Sequence, residues 1–118
     1  FIKEDILIAG IDAAHAYGAA CVAVPVKDTI KRGDKEGFIA ETLDRSVIWS
    51  IQTPQIFRYE LIMDAHRKAQ EQNFQGTDDA VLVERLGIRT KLVMGSYDNI
   101  KITTQEDLSL AEAIIEKR

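Results

Sequence analysis

The sequence predicts an α/β domain in which helices cover a mainly parallel β-sheet. Helix-like and strand-like segments alternate along the chain, which is typical of this class. The run from Ala20 to Val26 contains almost only small and β-branched residues, as expected for a strand covered on both faces. Hydrophobic residues make up 46% of the 118 residues and charged residues 29%, so the chain can form a core. We therefore expect residues 1–118 to be part of a single domain.

The first predicted elements are a helix and the buried strand. A helix is predicted from Lys3 to Tyr17 because apolar residues recur there at helical spacing, namely Leu7, Ile8, Ile11 and Ala14. Gly18 follows at the position where a left-handed residue commonly ends a helix. The strand from Ala20 to Val26 comes next, and Pro25 predicts that its pairing loosens near the end.

A β-hairpin arm is predicted over about residues 27–45. Two short extended runs, Asp28 to Arg32 and Phe38 to Leu43, flank the polar turn Gly33-Asp34-Lys35-Glu36-Gly37. Isolated two-stranded hairpins are marginally stable in water, so the arm has to pack on something. A second copy of the chain is the commonest partner for such an element, and we expect a homodimer formed through the arm.

A further strand is predicted from Val47 to Ile51. It leads into Thr53-Pro54-Gln55, where the proline disfavours helix in the preceding residue. A helix then extends from about Arg58 to Gln72, because four apolar residues share one face: Leu61, Ile62, Ala65 and Ala69.

The last three predicted elements are a helix, a strand and a helix. Thr77-Asp78-Asp79 opens the first helix with a hydroxyl for the free amides and two carboxylates in the first turn, and Gly87 ends it. Lys91 to Met94 is a short strand. The S/T-x-x-E string Thr103-Thr104-Gln105-Glu106 is a capping box before the final helix. About three sheet strands besides the arm are predicted, so the sheet looks like half of a usual one.

Composition excludes several classes of function. The net charge is −4 and the charges are interspersed, which argues against nucleic-acid binding. The apolar runs are far shorter than the ~20 residues of a membrane span. The single cysteine, Cys21, forms no internal disulfide and lies in an apolar run, so we expect an inert buried thiol and a reducing compartment. No glycine-rich phosphate loop occurs, and no metal ligands are predicted in this chain.

Two groups of residues are candidates for binding a phosphate. Lys101 lies between the last strand and the capped helix, a location where α/β sheets bind ligands. Spacing alone favours the alternative, a solvated loop lysine. Polar and basic residues also line the arm and the following strand, where they can bind phosphate or only solvate an edge; they are Thr29, Lys31, Arg32, Arg45 and Thr53.

Several other polar or aromatic residues are given structural interpretations. Asp78 and Asp79 could hold a cation, but helix capping explains them. We assign no catalytic role to His15 or His66, because neither has a nucleophile at a suitable spacing. Three aromatic residues lie within eleven positions of one another: Trp49, Phe57 and Tyr59. They could stack a base, but core packing is the commoner use of aromatic residues and is the interpretation adopted.

Four strings together resemble one enzyme family. They are Pro25-Val26-Lys27-Asp28-Thr29-Ile30-Lys31-Arg32; Thr42-Leu43-Asp44-Arg45-Ser46 with Trp49 and Gln52-Thr53-Pro54-Gln55; Gly76-Thr77-Asp78-Asp79-Ala80; and Asp98-Asn99-Ile100-Lys101-Ile102-Thr103. In this order they resemble the C-terminal half of 2-C-methyl-D-erythritol 4-phosphate cytidylyltransferase, an enzyme of non-mevalonate isoprenoid synthesis. The related ribitol-5-phosphate cytidylyltransferases have a similar plan.

The resemblance implies part of a mainly parallel, Rossmann-like nucleotidyltransferase sheet with a protruding β-hairpin arm. It implies that a polyol phosphate attacks the α-phosphate of CTP and that pyrophosphate leaves with help from Mg²⁺. By this resemblance Lys101 acts near the reacting phosphates, Thr29 and Arg45 hold the acceptor phosphate across a dimer interface, and Thr53 and Thr77 line the substrate pocket. The nucleotide loop and the magnesium ligand are expected in an N-terminal half that this chain lacks.

Activity of this chain alone is therefore not expected. The location implied is the cytoplasm of a bacterium, or a plastid in a plant. Three alternatives stay open: a ribitol-5-phosphate cytidylyltransferase fragment, one chain of a two-chain enzyme, and a non-catalytic α/β interaction module whose arm serves only for association.

Overall fold

The chain alternates helices and strands in the predicted order. The structure, a computed structural model, describes residues 2–117. Its elements are α1 Glu4–Tyr17, β1 Ala19–Pro25, β2 Lys31–Gly33, β3 Ile39–Thr42, a 3-10 turn Arg45–Val47, β4 Trp49–Phe57, α2 Tyr59–Glu71, α3 Asp79–Glu84, β5 Lys91–Met94 and α4 Gln105–Lys117. None of the helices within these residues is long and apolar enough to cross a membrane.

The α/β fold class is confirmed, and the central sheet is mixed. Its strand order is β4-β1-β5, with β1 parallel to β5 and antiparallel to β4. A mainly parallel sheet was predicted, and β4 is the exception. After the arm the chain re-enters the sheet beside the end of β1, where Trp49 pairs with Pro25. Because β4 starts beside the residue where β1 ends, it runs back along β1 and the two strands pair antiparallel.

Strand β1 is the centre of the core. Its first six residues, Ala19 to Val24, are all buried, as the apolar sequence predicts. The start of β1 packs against α2 and α3 through a cluster of small and aliphatic residues: Ala19, Ala65, Ala69, Leu82 and Val83. Helix α1 lies against all three strands.

Helix α1 ends where the sequence predicts. Gly18 has a left-handed φ of 95°, and its amide donates to the carbonyl oxygen of Ala14 at 2.8 Å. Glycine reaches this conformation without the steric cost of a Cβ, so the chain turns directly into β1.

Strand β4 is longer than predicted and contains a bulge. The sequence places the end of this strand at Ile51, but β4 continues through a cis Thr53–Pro54 peptide to Phe57. Cys21 pairs with Gln55 and Ala23 pairs with Ile51, so Val22 alone faces the three residues 52–54. The two extra residues bend β4 locally and take residues 52–54 out of register with β1.

The predicted arm is a two-stranded sheet. Strand β2 pairs antiparallel with β3, and the Asp34 carboxylate accepts from the amides of Glu36 and Phe38 to close the turn. Every residue of both strands is exposed. Phe38 and Ile39 at the turn are 68% and 66% exposed, so they leave an apolar surface without cover in the chain that is described.

The predicted start of α3 is confirmed, but the cap is Asp78. Its carboxylate accepts from the amide of Val81 at 2.9 Å. The predicted cap was the hydroxyl of Thr77, so the observed cap lies one residue later in the chain.

The predicted capping box of α4 is shifted by one residue. Thr104 accepts from the amide of Asp107 through its hydroxyl, and the Asp107 carboxylate accepts from the amides of Thr103 and Thr104. The predicted pair was Thr103 and Glu106. The Thr103 hydroxyl and amide and the Thr104 hydroxyl hold the pKa of Asp107 below its usual value.

Candidate functional site at the carboxyl ends of two parallel strands

The loop that follows β5 lies at a place where α/β sheets bind ligands. Strands β1 and β5 are parallel, so their carboxyl ends meet at one edge of the sheet. The loop begins at Gly95, whose amide donates to the carbonyl oxygen of Ala23 at 2.8 Å and extends the pairing beyond β5. Lys101 lies six residues further on, and its side chain is exposed.

Two side-chain amides connect this loop to the bulge of β4. Gln52 donates from Nε2 to the carbonyl oxygen of Ser96 at 2.9 Å. In return, Asn99 donates from Nδ2 to the carbonyl oxygen of Thr53 at 2.7 Å. One amide therefore projects from the strand and the other from the loop, and the two bonds hold the segments together over residues 52–53 and 96–99.

The start of α3 meets the other end of the same bulge. Gln55 donates from Nε2 to the Asp78 carboxylate at 3.3 Å, and its Oε1 accepts from the amide of Ala80 at 3.2 Å. The bulge thus contacts both the loop that carries Lys101 and the segment that carries Thr77.

The base of the arm adjoins the same loop. Arg45 donates to the carbonyl oxygen of Lys27 at 2.5 Å. The Lys27 ammonium lies 3.7 Å from the centre of the Tyr97 ring, and the Tyr97 hydroxyl donates to the carbonyl oxygen of Pro25 at 2.7 Å. Tyr97 therefore contacts the arm on one side and belongs to the Lys101 loop on the other.

The predicted site residues are brought together only in part. Thr53 and Thr77 are both exposed, and each adjoins the contacts of the bulge: Thr53 accepts from Asn99, and Thr77 precedes Asp78, which Gln55 contacts. Lys101 forms no ion pair with a residue of the described range 2–117. Thr29 and Arg45 are exposed parts of the arm, and within that range neither is hydrogen-bonded to Lys101.

The described residues do not supply a metal site. Between residues 2 and 117, no three or more His, Cys, Asp or Glu residues come together to hold a metal ion. These residues therefore do not fit Mg²⁺. His66 contacts Asp79 at 3.1 Å, and both side chains are exposed.

The environment of Cys21 supports the inert interpretation of this residue. Its side chain is 2% exposed. Burial, with smaller contributions from the negative charges of Asp78 and Glu84, raises the pKa of the thiol to about 11. Because the thiolate is the reactive form, Cys21 is a packing residue near neutral pH.

Sequence reasoning missed the polar residues that hold the site together. Four of them have no role in the sequence-based prediction: Gln52, Gln55, Tyr97 and Asn99. One signal was available: two glutamines flank Thr53-Pro54 in a segment that otherwise reads as a strand. Amides in such a position have to find partners, since buried polar groups are nearly always hydrogen-bonded.

Comparison with known proteins identifies the family. The model of the 2-C-methyl-D-erythritol 4-phosphate cytidylyltransferase family matches residues 1–117. The chain belongs to this family. A protein of that name from Caldanaerobacter subterraneus subsp. tengcongensis is 57% identical over 116 residues, which cover 98% of this chain and 51% of the relative. One from Syntrophus aciditrophicus is 54% identical over 117 residues, covering 99% of this chain and 50% of the relative.

Solved structures agree with this assignment. A 4-diphosphocytidyl-2C-methyl-D-erythritol synthase from Anaerococcus prevotii superimposes with a TM-score of 0.90 at 36% identity, covering 98% of this chain and 54% of that chain. The 2-C-methyl-D-erythritol 4-phosphate cytidylyltransferase from Thermus thermophilus superimposes with a TM-score of 0.87 at 34% identity, with coverage of 98% and 57%. The chain spans about half the length of the curated relatives it matches. Which half it spans stays a prediction.

Proposed function

We propose that this chain carries the acceptor-binding and dimer-forming half of a cytidylyltransferase. The reaction joins CTP and 2-C-methyl-D-erythritol 4-phosphate to give the CDP-methylerythritol product and pyrophosphate. Membership of the family supports the reaction class. The observation that carries the proposal is that two of the four strings contact the bulge of β4, which belongs to a third: Asn99 donates to Thr53, and Gln55 contacts Asp78 and Ala80.

Cytidylyl transfer requires a site that places positive charge around the α-phosphorus of CTP and orients the acceptor. In cytidylyl transfer an oxygen of the acceptor phosphate forms a bond to the α-phosphorus of CTP, and the bond from that phosphorus to the pyrophosphate oxygen breaks. Lys101 is the proposed catalytic residue, because an exposed ammonium beyond the carboxyl ends of β1 and β5 can stabilise negative charge developing on the phosphates. Thr53 and Thr77 are proposed to orient substrate through their hydroxyls.

The arm is proposed to complete the site of a second subunit. Phe38 and Ile39 offer an apolar surface that a symmetric partner can cover. In such a homodimer Arg45 and Thr29 of one chain would hold the acceptor phosphate beside Lys101 of the other. A guanidinium suits this task because its planar donors match phosphate oxygens.

Three further features belong to the proposal. The chain is the C-terminal half of the cytidylyltransferase domain, with the arm at about residues 27–45. The glycine-rich nucleotide loop and the carboxylate that holds Mg²⁺ lie in the complementary half. The complete enzyme works in the cytoplasm.

The test is a CTP-dependent pyrophosphate-release assay with two acceptors, 2-C-methyl-D-erythritol 4-phosphate and ribitol 5-phosphate. It is run on the complete natural protein, on this chain alone, and on this chain mixed with the complementary half. We expect turnover with the methylerythritol acceptor in the first and third samples. The chain alone is expected to be inactive, since loss of even one preorganised donor costs ~3–4 kcal/mol of transition-state stabilisation.

Each other outcome has a definite meaning. Turnover only with ribitol 5-phosphate would replace the proposed acceptor. Robust turnover by the 118-residue chain alone would contradict the division of the site between two halves. No turnover by the complete protein with either acceptor would leave the non-catalytic interaction module as the better description.

A further inference from the structure

Asn99 stands out among the polar side chains of the described chain. Across residues 2–117 it is the one polar residue that is buried, at 6% exposure. It lies in the loop after β5, two residues before Lys101, while its neighbour Asp98 and Lys101 itself are exposed. A buried amide in a polar surface loop calls for a specific reason, because an amide without a partner is costly to bury.

The side chain of Asn99 bonds to the backbone carbonyl of Thr53, which lies in the bulge and has no paired residue in β1. Residues 52–54 have no paired residue in β1, since Cys21 pairs with Gln55 and Ala23 with Ile51. A backbone carbonyl out of register with its neighbouring strand needs another donor. The Asn99 amide supplies one to Thr53 at 2.7 Å.

This bond fixes the spacing between two parts of the proposed site. Thr53 lies on the strand side, and the Asn99 side chain joins its carbonyl oxygen to the loop that carries Lys101. The backbone N–H of Asn99 donates to the carbonyl oxygen of Ser96 at 3.0 Å, which tightens the loop into a turn. The Gln52 bond to the same Ser96 carbonyl holds the start of that turn.

We infer that Asn99 is a positioning residue for Lys101: its side-chain bond to the Thr53 carbonyl holds the Lys101 loop at the distance from the β4 bulge that the reaction requires. The inference rests on the proposed function of Lys101. Asn99 touches neither substrate nor reacting atoms, so its effect passes through Lys101. Misplacement of a catalytic group by about 1 Å can cost ~100-fold in rate, which makes a single anchoring bond sufficient for the effect.

The experiment compares four forms of the complete natural protein by pyrophosphate release: wild type, Asn99→Ala, Lys101→Ala and the double variant. Gln70→Ala, an exposed amide on α2 remote from the loop, is the matched control. We expect Asn99→Ala to lower kcat by about 10- to 100-fold while KM for the acceptor changes less than about threefold. In the Lys101→Ala background the same change should cost less than about threefold, because the group that it positions is gone.

A second measurement does not depend on activity. Hydrogen exchange of the backbone amides of residues 95–101 should become at least about tenfold faster in Asn99→Ala, with exchange in α2 unchanged. If Asn99→Ala does not fold, Asn99→Asp serves in its place, since it keeps the shape and volume of the side chain but lacks the amide donor.

The outcomes separate this inference from the proposed function. Equal losses from Asn99→Ala with and without Lys101 would show a general structural role and overturn the inference. Unchanged exchange in residues 95–101 would also overturn it. If Lys101→Ala kept wild-type turnover, both the catalytic role of Lys101 and its positioning by Asn99 would be wrong. If the wild type itself released no pyrophosphate, the proposed function would fail, and the exchange measurement alone would decide whether Asn99 fixes the loop.

Discussion

Strand β1 and the arm are held in place by different interactions. Six consecutive residues of β1 are buried and all are small or β-branched, so packing against helices and neighbouring strands holds this strand in place. In the arm, every residue of β2 and β3 is exposed, and a turn closed by Asp34 and an ion pair between Arg32 and Glu41 hold the two strands together. The first region can be stable through its own core, whereas the second calls for a partner.

The difference explains where the proposed site lies. The bulge of β4 and the loop after β5 form the border between the two regions, and polar side chains replace apolar packing there. Gln52, Gln55 and Asn99 connect backbone segments by hydrogen bonds, and Tyr97 contacts the base of the arm. A site at such a border gains rigidity from the sheet on one side and can receive residues from a second chain on the other.

The largest effect on activity is expected at Lys101. Lys101→Ala in the complete protein should lower turnover by ~100-fold or more, because the ammonium is proposed to stabilise charge on the reacting phosphates. Steady-state pyrophosphate release measures the loss, and circular dichroism checks that the fold is retained. Lys117→Ala, an exposed lysine at the end of α4, is the control. Near-normal turnover of the Lys101 variant would support the solvated-loop interpretation.

A strong effect on stability is expected at Gly95, on the packed side of the border. A Cβ at this position would lie 2.7 Å from Val22 Cγ1 and 2.5 Å from Gln52 Oε1, both too close for van der Waals contact. Gly95→Ala should therefore destabilise the protein by about 1–3 kcal/mol, the usual cost of overpacking. Urea unfolding measures it. Gly37→Ala is the control, because a Cβ at Gly37 meets no atom within 4 Å. The φ of Gly37 is 90°, so this control carries backbone strain but no steric overlap. A smaller loss at Gly95 than at Gly37 would contradict the close packing described here.

The element positions could be predicted from sequence because their signals are local. The apolar run of β1, the helical spacing in α1 and α2, and the glycine-bounded turn of the arm each lie within a few residues of one another. Strand β5 has the predicted bounds, Lys91–Met94. These patterns reflect burial and turn geometry, which act on neighbouring residues.

The site could be predicted only in part, because it depends on contacts between distant residues. The pairing of β4 beside β1 is set by the return of the chain after the arm, and neither strand's own residues specify it. The strand is predicted to end at Ile51, with Pro54 only disfavouring helix before it, yet Pro54 lies within β4, inside a bulge that removes it from the ladder. The Asn99 bond spans 46 positions in the chain, and a single sequence carries no signal for it.

A moderate effect on association is expected at the tip of the arm. Phe38→Ser should weaken the proposed dimer by about tenfold or more, because covering a phenylalanine side chain is worth about 1.5–3 kcal/mol. The thermal stability of the monomer should change little, since Phe38 is 68% exposed within one chain. Sedimentation over a range of concentrations measures the dissociation constant, with Lys35→Ser at the same turn as the control. Equal dissociation constants would show that the arm tip is not an interface.

The smallest effect is expected at the cap of α4. The pKa of Asp107 is lower in the folded protein than in the unfolded chain, where it is near 3.8. Its stabilising contribution is therefore present above pH 3.8 and is lost as the pH falls through the lower folded value. The Asp107→Asn variant lacks this contribution, so its acid unfolding midpoint should lie at a slightly higher pH than that of the wild type. Circular dichroism from pH 6 to 2 measures both midpoints. Glu112→Gln, an exposed residue on the same helix, should leave the midpoint unchanged. A similar shift in both variants would exclude a specific role of the cap.

The central claim is that the arm of one chain and the Lys101 loop of another form one site, and mixed dimers test it most directly. Arg45→Ala and Lys101→Ala chains of the complete protein are each purified, mixed, allowed to exchange subunits, and assayed for pyrophosphate release. If the site is shared, each mixed dimer has one site with both substitutions and one with neither, so activity should rise well above that of either parent, toward half the wild-type value per mixed dimer. If Arg45 and Lys101 act within the same chain, or the protein is a monomer, the mixture will be no more active than its parents, and the shared site is contradicted.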